Sequence, residues 1–208
     1  MKKIEQIYKE ILYRYFEKKI NRFTQLELSK NLGFSLGVVN LAIKKLEKIN
    51  SIQVNKMSFF VIDAKKILYL WASERNFGRD ILFKTRIEMP VREIERNLND
   101  VCFGAYSAYK FKFNDVPADY SEVYIYADEG ELEEIKSRFK LTEEENNVEN
   151  PNIFILKKAK KDNEYGKTNT IGQIFVDLWN LKEWYAGDFL KALEEKINKF
   201  RFDKSEHV

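Results

Sequence analysis

Cysteine and histidine are almost missing from this chain: among 208 residues there is one of each, Cys102 and His207. A single cysteine cannot close an internal disulfide, which suits a reducing compartment. A single histidine in a polar tail leaves zinc clusters, two-histidine metal sites and Ser-His-Asp catalysis with little to build on. No apolar run approaches the roughly 20 residues of a membrane span. The opening Met1-Lys2-Lys3-Ile4-Glu5-Gln6 has no apolar segment behind its lysines, so neither a membrane partner nor a secretory signal is expected. What is abundant is a hydrophobic fraction of 44% and a charged fraction of 33%, enough for a core and a well-solvated surface. The expectation is a soluble, cytoplasmic protein of one or two domains.

The net charge of +3 conceals a split. Residues 1–66 carry 14 Lys and Arg against 6 Asp and Glu, a balance of +8, whereas residues 67–208 carry 22 against 27, or −5. Phosphate binding depends on local positive charge, so a basic segment joined to a larger acidic one points to a nucleic-acid module carrying a second domain.

Apolar residues Ile4, Ile7, Tyr8, Ile11, Leu12 and Tyr15 recur at helical spacing, with Lys3, Glu10, Glu17 and Lys18 expected on the surface. Next, Thr24 is placed to cap a helix, Glu27 to complete a capping box, and Phe23 and Leu28 to form a hydrophobic staple. Gly33 suits a left-handed helix end, and Ser35 caps a third helix with the apolar stripe Val39, Ala42, Ile43 and Leu46. Ile52 and Val54, a turn at Asn55-Lys56 and a return through Met57–Ile62 read as a hairpin. This is the order of a winged helix-turn-helix over residues 1–66. A linking helix over Lys65–Asn76 leads into residues 67–208, where strands at Ile81–Lys84, Val123–Tyr126 and Ile153–Leu156 mix with helices. Pro90 opens one helix that buries Ile94 and Leu98, Glu129–Phe139 forms an acidic one, and Val101–Phe113 fits either strand or helix. Lys157–Thr170 reads as an exposed loop. Without a regular βαβ repeat the class is α+β, with the second domain serving regulation or partner binding.

Leu28 through Glu47 is similar to the helix-turn-helix core of bacterial and archaeal winged-helix regulators. Leu28, Leu32, Val39, Ala42 and Leu46 pack two helices together, and the other side of the third helix presents Ser35, Leu36, Gly37, Asn40 and Lys44 to a major groove. Asn40 matches adenine bidentately, and Lys44 matches guanine or phosphate. Lys45 and the wing residues Asn55 and Lys56 suit backbone phosphates, which position without specifying. Double-stranded DNA is therefore the expected partner, and paired operator half-sites would call for a homodimer on DNA.

The order continues with Leu68-Tyr69-Leu70-Trp71-Ala72, Phe103-Gly104-Ala105-Tyr106-Ser107-Ala108, Glu122-Val123-Tyr124-Ile125-Tyr126, Asn152-Ile153-Phe154-Ile155 and Gln173-Ile174-Phe175-Val176-Asp177-Leu178. Over residues 20–195 this resembles the AbiEi-type antitoxin and regulator family of type IV toxin–antitoxin systems. The resemblance implies an N-terminal winged helix that binds its own promoter, autoregulation of an operon, and a nucleotidyltransferase-like toxin as partner.

Enzymatic readings find less support, and no catalytic residue, metal ligand or cofactor is expected. Nucleotidyl transfer needs a Gly-Ser-type turn and two carboxylates at alternate strand positions to hold magnesium. Gly104 is followed by Ala105, and Tyr124 occupies the position two residues after Glu122 where the second carboxylate belongs. A degenerate, non-catalytic relative of the nucleotidyltransferase fold fits better, although a metal pair from Asp128 and Asp177 and an active nucleotidyltransferase remain the enzymatic alternative. Gly166-Lys167-Thr168 imitates the end of a P-loop, but Lys161 stands where its first glycine belongs. Cys102 between Val101 and Phe103 reads as a buried structural thiol. Trp179, Trp184 and Tyr185 suit a core or interface better than base stacking, and the basic run Lys157–Lys161 suits a solvated loop. A scaffold using its winged helix for protein contacts is the third alternative.

Overall fold

The computed structural model describes residues 1–98 and 100–200; His207 lies outside the described residues. The chain is mixed α+β with two sheets. Its first part runs α1 (Lys3–Glu17), β1 (Arg22–Phe23), α2 (Gln25–Leu32), α3 (Leu36–Lys48), β2 (Ile52–Val54) and β3 (Phe59–Val61). After α4 (Ala64–Glu74) come β4 (Ile81–Thr85), α5 (Val91–Asn97), β5 (Cys102–Gly104), α6 (Ala105–Phe113) and β6 (Val123–Ala127). The chain then continues with α7 (Glu129–Phe139), β7 (Ile153–Lys157), α8 (Ile171–Trp179) and α9 (Trp184–Asn198).

The start signals around α2 act as the sequence suggests, with one exception. Thr24 Oγ1 accepts from the Glu27 amide at 3.1 Å, and Phe23 and Leu28 are both buried. Glu27 does not complete a capping box; its carboxylate reaches Arg14 of α1 instead, because a buried guanidinium is a stronger partner than a backbone amide. Gly33 ends α2 at φ 66°, in the left-handed conformation that glycine adopts at least cost. Ser29 Oγ donates to the Phe34 carbonyl at 2.6 Å and pins the connection to α3.

In the first sheet β3 lies between β1 and β2, both antiparallel to it. The hairpin pairs Ile52 with Val61 and Val54 with Phe59; the return strand is shorter than Met57–Ile62 because Asn55–Ser58 form the turn, closed by Asn55 N–H donating to Ser58 O at 2.7 Å. β1 has no alternation to advertise it. It is held by Phe23 stacked on Phe59, with centroids 5.4 Å apart.

The second sheet has the order β4-β7-β6-β5, with β6 and β7 parallel and both outer pairs antiparallel. The ambiguous stretch Val101–Phe113 is both things in turn: strand to Gly104, then helix, with Ala105 at φ 43° making the corner. Every residue of β6 is buried. Tyr124 lies edge-on to Tyr106 of α6, and the Tyr126 hydroxyl donates to Asp177 of α8 at 2.8 Å.

One hydrophobic cluster runs from Ile7 to Ile197, across both the basic and the acidic part of the chain. The boundary expected after Lys66 falls inside α4. The element that ties the two parts is α1, which packs against α2, α3, α4 and α8. With neighbours on so many sides, its charged residues Glu5, Lys9, Glu10 and Arg14 are buried too and each is paired, whereas the Tyr8 hydroxyl is buried without a partner among the described residues. Glu10, expected on the surface, is buried and accepts from Arg14 Nε at 2.6 Å, Tyr165 OH at 2.7 Å and Asn31 Nδ2 at 3.1 Å. Lys9 Nζ donates to Asp162 and to Asn169, both at 2.8 Å. Those partners belong to the stretch Lys157–Thr170, which is therefore not a simple exposed loop. Asp162, Asn169 and Thr170 are buried, and Thr168 bridges to Phe103 of β5. A buried lysine requires a buried carboxylate nearby, and that requirement draws the loop inward.

Candidate nucleic-acid interface

The helix α3 buries Val39, Ala42, Ile43 and Leu46 against α1 and α2. Its reverse side is left to solvent: Ser35, Leu36, Gly37, Leu41 and Lys44 are exposed, and Asn40 is half-buried. Ser35 Oγ accepts from the Val38 amide at 3.4 Å, so its oxygen caps the helix while its hydroxyl proton stays available. A Cβ added at Gly37 would meet nothing nearer than Ser35 Oγ at 4.0 Å. The fold therefore sets no packing demand for glycine there.

The Asn40 amide and the Lys44 and Lys56 ammonium groups have no hydrogen-bond or ion-pair partner among the described residues. Lys45 differs: its ammonium donates to Glu74 of α4 at 2.7 Å. An exposed pair of this kind is worth about 0–1 kcal/mol and exchanges readily for phosphate. Asn55 and Lys56 project from the exposed hairpin tip beside Met57. Ser35, Leu36, Gly37, Asn40 and Lys44 thus share one outward side of α3, whereas Asn55 and Lys56 lie on the separate β2–β3 tip.

Sequence reasoning missed three features of this surface. Leu41 is 57% exposed on the same outward side, a departure from the apolar-in rule that only the helix phase exposes. Lys3 lies over the Phe34 ring at 5.6 Å, beside the start of α3. Lys160 and Lys161 line a depression with Asn31 and Phe34, and Lys161 hydrogen-bonds Asn31. Part of the basic run Lys157–Lys161 therefore sits next to the α2–α3 turn, 130 residues away in sequence. Lys158 does not join it, being paired with Glu131.

The candidate catalytic groups are dispersed. Asp128 caps α7, accepting from the Glu131 amide at 3.0 Å in a reciprocal capping box. Glu122 accepts from Tyr185 and, at 3.0 Å, from Ser121 Oγ; burial raises its carboxyl above the ordinary value. Asp177 is wholly enclosed in α8, held by Tyr126 OH and by Gln173 Nε2 at 2.7 Å. Burial pushes its carboxyl up even against the nearby Arg75 guanidinium. Where a nucleotidyltransferase-type turn would leave room for phosphate, a Cβ at Gly104 would fall 2.8 Å from the Tyr126 ring. Among the described residues no three His, Cys, Asp or Glu side chains converge as a metal cage requires. Cys102 is buried in β5, and burial pushes its thiol up to about 11, so it is un-ionised at neutral pH. Tyr185 is buried, but Trp179 and Trp184 are 45% and 77% exposed, so neither tryptophan is core.

No helix among the described residues is long and apolar enough to cross a membrane. Comparison of the chain with protein-family models, with curated proteins and with solved structures finds no match to any of them.

Proposed function

We propose that the protein is a sequence-specific DNA-binding transcriptional regulator in which α2 and α3 act as a helix-turn-helix and the β2–β3 hairpin as its wing. The observation that carries this reading is the open outward side of α3, whose reverse is locked into the core. Asn40 and Lys44 stand there without partners, and the small residues Ser35 and Gly37 let the helix end approach a groove closely. Lys45, Asn55 and Lys56 serve as phosphate contacts, with Lys3 and Lys160 extending the basic rim. By the resemblance to AbiEi-type regulators, the DNA is the promoter of the protein's own operon, bound by a homodimer, and the partner of residues 67–208 is a nucleotidyltransferase-like toxin. The capping role of Asp128 and the enclosure of Asp177 support a non-catalytic second part.

The test is fluorescence anisotropy with the duplex upstream of the protein's own gene and with a random duplex, over a range of salt. Asn40→Ala is expected to lower discrimination between the two. Lys56→Ala is expected to weaken both alike and reduce the salt slope by about one. Equal loss of all binding in both variants contradicts this division of labour.

A second reading, a protein-docking helix, is favoured by the exposed apolar side chains Leu36, Leu41 and Met57, the last 78% exposed. It predicts negligible affinity for either duplex even at low salt.

A further inference from the structure

A cleft of about 500 Å³ opens between α5, the β5 edge, α6 and the Lys167-Thr168 stretch, within the roughly 300–1,000 Å³ typical of small-molecule sites. It shares no residue with the face of α3. Four cations border it, Arg92, Arg96, Lys110 and Lys167, against a single carboxylate, Glu95. That carboxylate is already committed: it is buried and accepts from Lys110 Nζ and from Tyr120 OH. Lys167 has Asp100 at 3.7 Å.

The two arginines are different. Neither Arg92 nor Arg96 has a hydrogen bond or ion pair among the described residues, and both are exposed. They stand four apart on α5, where like charges repel by a few tenths of a kcal/mol. Arg92 also lies in the first turn, at the end of the helix where the backbone dipole disfavours a cation. The fold gains nothing visible from this arrangement. The cleft also has an aromatic side: the Phe103 and Phe111 rings are 4.8 Å apart, and Phe111 is 46% exposed.

We propose that this cleft binds a free mononucleotide, its phosphates held by Arg92 and Arg96 and its base lying against Phe111. Two adjacent guanidinium forks match phosphate oxygens bidentately, and a half-exposed phenyl ring offers the face on which any base stacks. Binding here is independent of the DNA reading and is measured without duplex present, so either can fail alone.

Equilibrium dialysis of the full chain with ADP, inorganic pyrophosphate, adenosine and a single-stranded oligonucleotide decides the matter. Saturable binding of one ADP per chain is expected. Replacing both arginines (R92A/R96A) should weaken it about tenfold or more, since each charge-assisted contact is removed from an exposed site that the fold does not use. Phe111→Ala should weaken ADP about fivefold while leaving pyrophosphate unchanged. Thermal melting of each variant at the wild-type temperature shows that the loss is local, and R92Q/R96Q serves as the paired variant that keeps a long polar side chain without the charge. No saturable ADP binding at millimolar concentration overturns the proposal, as does undiminished binding by the arginine variants. Pyrophosphate binding as tightly as ADP, or an oligonucleotide displacing ADP at equal nucleotide concentration, also overturns it.

Discussion

Two regions of this molecule spend lysine and arginine in opposite ways. Around α1, Lys9, Arg14 and Arg75 are buried and their charges are committed to Asp162, Glu10, Glu27, Glu5 and Asp80. On the outward side of α3 and at the hairpin tip, Lys44 and Lys56 are exposed and uncommitted among the described residues. A sum of charges along residues 1–66 treats Lys9, Arg14, Lys44 and Lys56 as equal. The fold divides them: Lys9 and Arg14 are matched to carboxylates inside the protein, and Lys44 and Lys56 stay exposed and uncommitted among the described residues. Lys9 and Arg75 tie the two parts of the chain together, and the exposed lysines leave the outward side of α3 and the hairpin tip open.

The sharpest way to break this contrast is at Lys9. Lys9→Met leaves Asp162 buried without a counter-charge, and such a loss costs about 3–5 kcal/mol. Urea unfolding should show it as a large fall in midpoint. Adding Asp162→Leu to Lys9→Met should recover most of the loss, because a buried pair replaced by apolar groups of similar size is often neutral. If the double variant stays as unstable as the single, the Asn169 bond rather than the ion pair anchors the loop.

The next effect is smaller and lies at the strand-to-helix corner. Gly104→Ala places a methyl 2.8 Å from Tyr126 Cε2 and 3.2 Å from Asp177 Oδ2. The Tyr126 ring has little freedom to yield, since its hydroxyl is held by Asp177, Gln173 and Arg75. Overpacking of this kind costs about 1–3 kcal/mol. Thermal melting that leaves the variant at the wild-type temperature would show that the corner is loose.

The same seam gives a pH dependence. Burial raises the Asp177 carboxyl above its unfolded value of 3.8, so the folded protein keeps this proton at pH values where the unfolded chain has lost it. Its contribution is therefore greatest below the unfolded pKa and declines as pH rises through the folded one. Urea midpoints measured upward from pH 3.5 should fall less steeply in Asp177→Asn than in the wild type. Parallel profiles would remove Asp177 as the source.

How much of this was legible in the sequence follows from the range of the forces involved. Caps and turns are local, and Thr24, Gly33 and Ser35 take the roles their positions suggest. The α+β class and most strands also follow from short-range pattern. Long-range events did not: β1 is two residues held by a distant Phe59, and Glu10 is inside because α1 has neighbours on several sides. The Lys157–Thr170 stretch looks polar and open until Lys9, far earlier in the chain, supplies a buried charge for Asp162. Within the candidate interface, helix phase correctly placed Leu36, Gly37 and Lys44 outward. The pairing of Lys45 with Glu74 needed tertiary contact between α3 and α4 to be seen.

A second glycine sharpens the contrast between the inner seam and the outer face, and it does so with the smallest change in stability. Gly37 lies in the first turn of α3, and nothing within the fold crowds a methyl group there. Alanine is the better helix former, so Gly37→Ala should stabilise the protein by about 0.5–1 kcal/mol, opposite in sign to Gly104→Ala. If α3 enters a major groove, that same methyl faces the bases, and affinity for the upstream duplex should fall although the protein is more stable. Paired melting and anisotropy measurements separate the possibilities. Higher stability with weaker operator binding means glycine serves the partner; higher stability with unchanged binding means the helix end does not approach DNA closely, and the outward side of α3 loses its role as a groove reader.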